Sequence, residues 1–164
     1  MSSTPGYVTP ASFRRTMSHH AAAVTVVTAR DVEGRPVGLT ANSVTSVSLT
    51  PPLVLVCLSE SSASLDVIQG TGGFAINLLG SGDSELASCF AYAEAEDRFQ
   101  GVPLRSGRTG VPLLEGSIAW LECRVHQTFT AGDHVVVVGG VLEVGVGDGD
   151  PLIYHCGEYR RLCT

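Results

Sequence analysis

The chain has 164 residues, 44% apolar and 16% charged, with 19 glycines and a formal charge of −6. That size suits one domain, and that apolar content is too high for a disordered chain. Ten basic side chains against 16 acidic ones form no basic stripe, which argues against a nucleic-acid binder, and no apolar run approaches the ~20 residues needed to cross a bilayer.

Residues 1–10 read as a loosely ordered N-terminus lacking the charged and apolar regions of a signal peptide, ahead of one domain over residues 11–164. A cytoplasmic protein is the expectation. Ser12 to Ala23 mixes apolar and basic positions as a short amphipathic helix does, with Ser12 as its N-cap. The β-branched run Ala23 to Thr28, the turn Asp31 to Pro36 and the stretch Val37 to Leu49 predict a hairpin.

After Pro51-Pro52, the segment Leu53 to Leu58 is apolar on both faces and is expected in the middle of a sheet or barrel. A short helical stretch, Leu65 to Gln69, then a strand, Phe74 to Leu79, follow, and Asp83 to Ala95 reads as a helix through Leu86, Phe90 and their alanines. From Ala119 to Phe129 alternate residues are apolar apart from Gln127, so Glu122, Arg124, His126 and Thr128 are expected on the solvent side of an antiparallel strand. The turn Ala131-Gly132-Asp133 leads into Val135 to Val146, and a last strand covers Leu152 to His155. Six or seven short strands without β-α-β alternation predict a mainly β, closed antiparallel barrel with a few peripheral helices.

Five cysteines, an odd number with no Cys-x-x-Cys, read as buried free thiols. No Gly-x-Ser-x-Gly supports a hydrolase, no His or Cys spacing supports a metal site, and no glycine-rich stretch opens a helix after a strand as a Rossmann fingerprint does. What remains is the hydroxyl- and amide-rich run Gly38 to Ser48.

Ala23-Val24-Thr25-Val26-Val27-Thr28, Gly38-Leu39-Thr40-Ala41-Asn42-Ser43 and Thr45-Ser46-Val47-Ser48-Leu49 before Pro51-Pro52 together resemble the flavin reductase family. Phe74-Ala75-Ile76-Asn77, Asp97-Arg98-Phe99, Trp120-Leu121-Glu122-Cys123, Gly132-Asp133-His134 and Tyr159-Arg160 extend the likeness over residues 11 to 162. It implies an FMN-binding split barrel of Greek-key type, a homodimer, and an enzyme that reduces FAD or FMN with NADH or NADPH for a separate flavin-dependent monooxygenase.

Hydride transfer between two stacked rings asks the protein for position and for hydrogen bonds to the flavin edge, which Thr40, Ala41, Asn42 and Ser43 are placed to give. Ser59, Ser61, Ser62 and Ser64 stand at a helix start, where free N–H groups suit either the flavin phosphate or a plain N-cap. Glu60 lies among them and no Lys or Arg does, so the basic partner is assigned to Arg98. Ser46 and Phe90 complete the expected flavin contacts. The resemblance places His134 against the nicotinamide as the one catalytic side chain; Tyr159 and Arg160 read either as holding the dinucleotide or as an exposed tail.

One segment departs from the family pattern. His20-Ala21-Ala22-Ala23 stands where members commonly carry Phe-x-Thr-Gly. Two other readings stay open: a split barrel that keeps its flavin and oxidises its own substrate, and a non-catalytic flavin-binding barrel.

Overall fold

The computed structural model describes residues 6–163, so the first five residues of the loose N-terminus expected over 1–10 lie outside them, and its last, Pro10, is already helical. The first helix, α1 (Pro10–Met17), starts before the expected Ser12. Thr9 is its cap, accepting the Ser12 amide at 3.2 Å, and Pro10 occupies the first turn, where its missing N–H costs nothing. Then come β1 (Ala22–Ala23), β2 (Thr25–Arg30) and β3 (Pro36–Ala41). β2 and β3 form the predicted hairpin, whose turn is closed by Asp31 accepting the amides of Glu33 and Arg35.

The stretch from Val37 to Leu49 is two strands, not one, because the chain breaks at Asn42 and Ser43 before β4 (Val44–Leu49). There follow β5 (Pro52–Ser59), α2 (Ala63–Thr71), β6 (Gly73–Leu78), α3 (Ser84–Tyr92), β7 (Leu104–Ser106) and β8 (Pro112–Leu114). The long pair β9 (Ala119–Ala131) and β10 (His134–Val146) precedes a terminal hairpin of β11 (Ile153–His155) and β12 (Glu158–Arg160).

Seven strands form one antiparallel sheet in the order β3-β2-β6-β9-β10-β5-β4. Its two edge strands, β3 and β4, are consecutive in the chain and separated by only Asn42 and Ser43, so the sheet has to curl until its ends meet. The Ser43 hydroxyl holds that junction, donating to the Cys57 carbonyl at 2.8 Å and accepting the Cys57 amide at 3.2 Å. One buried cluster inside the curl takes Val27, Ala41, Val56, Phe74, Cys123 and Val137 from six of the seven strands, with Val44 of the seventh packed against it. β5, expected mid-sheet, sits one strand in from the β4 edge and alternates between buried and half-buried residues.

Two departures in β9 follow from pairing that alternation cannot reveal. A register shift opposite Val138 and Gly139 reverses the parity of the strand, so Phe129 points away from the core and is 48% exposed. On the other face the β7–β8 hairpin lies over β6 and β9, burying Ala75, Val111 and Leu113 with Trp120 against them. Glu122, expected in solvent, is fully buried beneath that hairpin and accepts the amides of Arg108 and Thr109.

The five thiols are unpaired, but only Cys123 is buried; Cys57 and Cys89 are half-buried, and Cys156 and Cys163 are exposed. Burial, reinforced by the neighbouring Glu122 charge, pushes the Cys123 thiol up to about 12. In a chelator, a thiol reagent should therefore modify Cys156 and Cys163 first and Cys123 only on unfolding. Peptide mass spectrometry over a time course reads this, and Cys123 labelled together with Cys156 in the native state would contradict the packing.

Candidate active site

β3 and the Asn42-Ser43 junction that follows it border three cavities, β3 the first two and the junction the third. The first, about 210 Å³, is lined by Val37 and Gly38 of β3, Ser61 to Ser64 at the start of α2, and Ala95 and Arg98 beyond α3. The second, about 130 Å³, is lined by Thr40, Ala41 and Asn42 with Val24, Tyr92, Tyr154 and Tyr159. The third, about 680 Å³, takes Asn42, Ser43 and Thr45 together with Phe13 and Met17 of α1, and with His20, Ala22 and Tyr154. At ~3.3 Å per residue, Gly38 to Asn42 covers about 13 Å of strand, a span suited to an elongated ligand with a charged end and a flat end.

In the first cavity the folding explains the chemistry. Ser62 takes the N-cap position of α2 with extended backbone, yet its hydroxyl makes no capping bond, so it does not behave as a plain cap. The amides of Ser62 and Leu65 are used within the turn, on the carbonyls of Ser59 and Ser62. The Ala63 and Ser64 amides have no such partner among the described residues, and they lie at the positive end of the helix, beside Arg98. Ser64 is buried. Arg98 is fixed by donating from Nε to the Ala93 carbonyl at 3.0 Å and from Nη1 to the Gly38 carbonyl at 2.8 Å, which leaves Nη2 to the cavity. Gly38 is required beneath it, because a Cβ there would stand 2.9 Å from the Val27 carbonyl and 3.1 Å from Phe99. The donors and the charge fit a phosphate.

Other expected contacts are placed differently. Phe90 is 1% exposed, packs edge-on against Phe99 at 4.8 Å and lines none of the three cavities. Ser46 is exposed on β4 and lines none of these cavities. The Thr40 hydroxyl donates to the Ala87 carbonyl at 2.6 Å, and that of Ser43 is spent on Cys57, so ligand contact from this run falls to backbone groups and to the exposed Asn42. Ser59 shares a hydrogen bond with Ser61 at 2.9 Å.

His134 opens β10 directly across from Ser59 on β5. Its side chain is 47% exposed, with Nδ1 2.7 Å from the Asp133 carboxylate, and that hydrogen bond holds the Asp133 carboxyl below its ordinary value. Tyr159 packs beside Tyr154 in the second cavity, whereas the exposed Arg160 pairs with Glu158 at 2.6 Å. His20 and Ala22, from the segment that departs from the family pattern, line the third cavity. The α1 residues there were missed: Phe13 and Met17, 58% and 47% exposed, read as one face of a surface helix until the hairpin β11–β12 is seen opposite.

Known proteins share this fold. The sequence pattern described as flavin reductase like domain matches residues 17–163. A probable flavin reductase of Rhizobium meliloti is 46% identical over 150 residues, covering 92% of this chain but 48% of its own length, so the chain spans about half of that relative. The reductase component of 4-hydroxyphenylacetate 3-monooxygenase from Thermus thermophilus is 40% identical, covering 92% of this chain and 95% of that protein. Among solved structures, the NADH:FAD oxidoreductase SgcE6 of Streptomyces globisporus in complex with NAD and FAD fragments superposes with a TM-score of 0.88 at 33% identity, over 96% of each chain.

Proposed function

The chain belongs to the flavin reductase-like domain family, and from that membership we propose that it is an NAD(P)H:flavin oxidoreductase, which reduces FAD or FMN with NADH and supplies free reduced flavin to a separate monooxygenase. The observation that carries this reading is the 210 Å³ cavity, where unspent amides of α2, the Ser61, Ser62 and Ser64 hydroxyls and one arginine fit a flavin phosphate. Bound flavin supplies the hydride acceptor. The protein's part is to seat the phosphate at α2, to lay the ring along Thr40 to Asn42 and to meet the nicotinamide with His134 and Tyr159. Residues 11–164 constitute the reductase domain in this reading.

A second copy of this chain fits the outer face of the sheet. Leu53, Leu55 and Cys57 alternate outward on β5, and Cys57 aligns across the sheet with Val136 and Phe129, giving an apolar surface that a homodimer would cover. Among the described residues no helix is long and apolar enough to cross a membrane. Five free thiols, two of them exposed, suit the reducing cytoplasm where NADH is plentiful.

The deciding experiment follows NADH oxidation under air by purified protein with added FMN, FAD or riboflavin. Turnover that depends on added flavin is expected, with protein that loses its flavin on gel filtration. No NADH oxidation with any flavin would sink the reductase reading, and colour retained through gel filtration would favour a barrel that keeps its flavin. His134→Ala should raise the KM for NADH by roughly threefold to tenfold, the size of one hydrogen bond, and leave the KM for FMN unchanged. Unaltered NADH kinetics would remove His134 from the nicotinamide site.

A further inference from the structure

Helix α1 and the terminal hairpin meet at a point where three metal-binding side chains converge. Ser18 caps α1, and its carbonyl accepts the Cys156 amide at 2.7 Å, so the hairpin turn is tied to the helix end by backbone before any side chain takes part. That bond sets His19 beside His155 and Cys156. The Cys156 Sγ lies 3.5 Å from His155 Nε2 and 3.9 Å from His19 Nδ1, and the three ligand atoms all lie within 4.8 Å of one another.

We propose that His19, His155 and Cys156 form a zinc(II) site with two imidazole ligands, one thiolate and an open fourth position. Tetrahedral zinc with Zn–S near 2.3 Å and Zn–N near 2.1 Å separates sulfur from nitrogen by about 3.6 Å, close to both observed sulfur–nitrogen distances, and the two nitrogens, within 4.8 Å of each other, close to about 3.4 Å on the ion. The two rings stand edge to face at 78° and do not stack, and each turns one nitrogen toward the Cys156 sulfur. Two nitrogens and one sulfur form a borderline-soft set, which suits zinc and excludes magnesium and calcium. On binding, the Cys156 thiol gives its proton to solvent and the neutral imidazoles donate their lone pairs, with no change in oxidation state.

The backbone at the turn is consistent with a demand on this residue. Cys156 and Gly157 have φ of 51° and 80°, the pattern of a two-residue hairpin turn that favours Asn, Asp or Gly, and Cys156 is the one non-glycine with positive φ among the described residues. Sequence spacing conceals the site because His19 and Cys156 are 137 positions apart. Ser18 and Gly157, next to the ligands, line the 680 Å³ cavity, so zinc would lock the α1 side of that cavity to the hairpin.

The test uses the full chain stripped with EDTA and titrated with cobalt(II), a spectroscopic stand-in for zinc. One equivalent should produce the d–d bands of tetrahedral cobalt with a thiolate-to-metal charge-transfer band, and zinc should displace both. Cys156→Ser should abolish the charge-transfer band and weaken zinc binding by more than about a hundredfold, exceeding the cost of losing an outer-shell partner. His155→Gln should weaken it by at least about tenfold, and Cys163→Ser should change nothing. Zinc should raise the melting temperature of the native chain but not of Cys156→Ser, whose own melting in EDTA should match the native chain because Cys156 is exposed. Absence of the charge-transfer band in the native chain, or its persistence in Cys156→Ser, overturns the site, whatever the outcome of the flavin assays.

Discussion

Arg98→Ala should raise the KM for FMN by roughly tenfold to a hundredfold while leaving that for riboflavin within about twofold. The two flavins differ by the phosphate, and the guanidinium is the one positive side chain on the cavity that α2 opens onto. A charge-assisted hydrogen bond contributes about 1.5–3 kcal/mol, which sets the size of the effect. Arg98 also holds the Gly38 and Ala93 carbonyls, so its loss should lower stability by about 2 kcal/mol, measured by urea unfolding. Arg98→Lys keeps the charge but not the fork that binds two carbonyls and a ligand together, and should fall between. If both flavins lose affinity equally, Arg98 only shapes the cavity and the phosphate lies elsewhere.

That contrast is available because the sequence located the serine turn and named the arginine that faces it, although 34 positions separate Ser64 from Arg98. Local signals carried this far: β-branched runs, an Asp31 turn and a helix start with unspent hydroxyls are short-range physics. Side-chain destinations set by packing were not legible. Thr40 and Ser43 look like ligand donors in one dimension, but their hydroxyls are drawn to carbonyls on α3 and β5 that only the curled sheet brings near. Phe90 carries the same composition signal whether it faces a ligand or a core, and the aromatic edge of Phe99 decides for the core. The register shift in β9 falls at His126, between Val125 and Gln127, so alternation counted from Ala119 puts Phe129 on the core face although it points away, and polar Gln127 is its one trace in the sequence.

Glu122 shows the same limit with the largest consequence for stability. Its neighbours Leu121 and Cys123 face the core, so alternation sends Glu122 to solvent, and nothing local announces that β7 and β8 will cover it. One signal was present: Gly107, which ends up against the carboxylate, has no room for a Cβ. Burial by itself would push the Glu122 carboxyl up, but hydrogen bonds from the Thr109 hydroxyl and amide and the Arg108 amide outweigh it and hold it below its ordinary value. Glu122→Ala should therefore cost about 3 kcal/mol, since two amides lose a charged acceptor inside the protein. Glu122→Gln preserves the size but turns an NH₂ or a single oxygen toward two donors, and should cost somewhat less. Because the folded value lies below the unfolded one, the ionised carboxylate stabilises the fold in full above the unfolded value of about 4.5, and that contribution is lost as pH falls through the folded value. Urea unfolding of the native chain and Glu122→Gln between neutral pH and about pH 3 should show the gap between them narrowing only at the acid end. A gap that stays constant over that range would mean the side chain acts through its shape and not its charge.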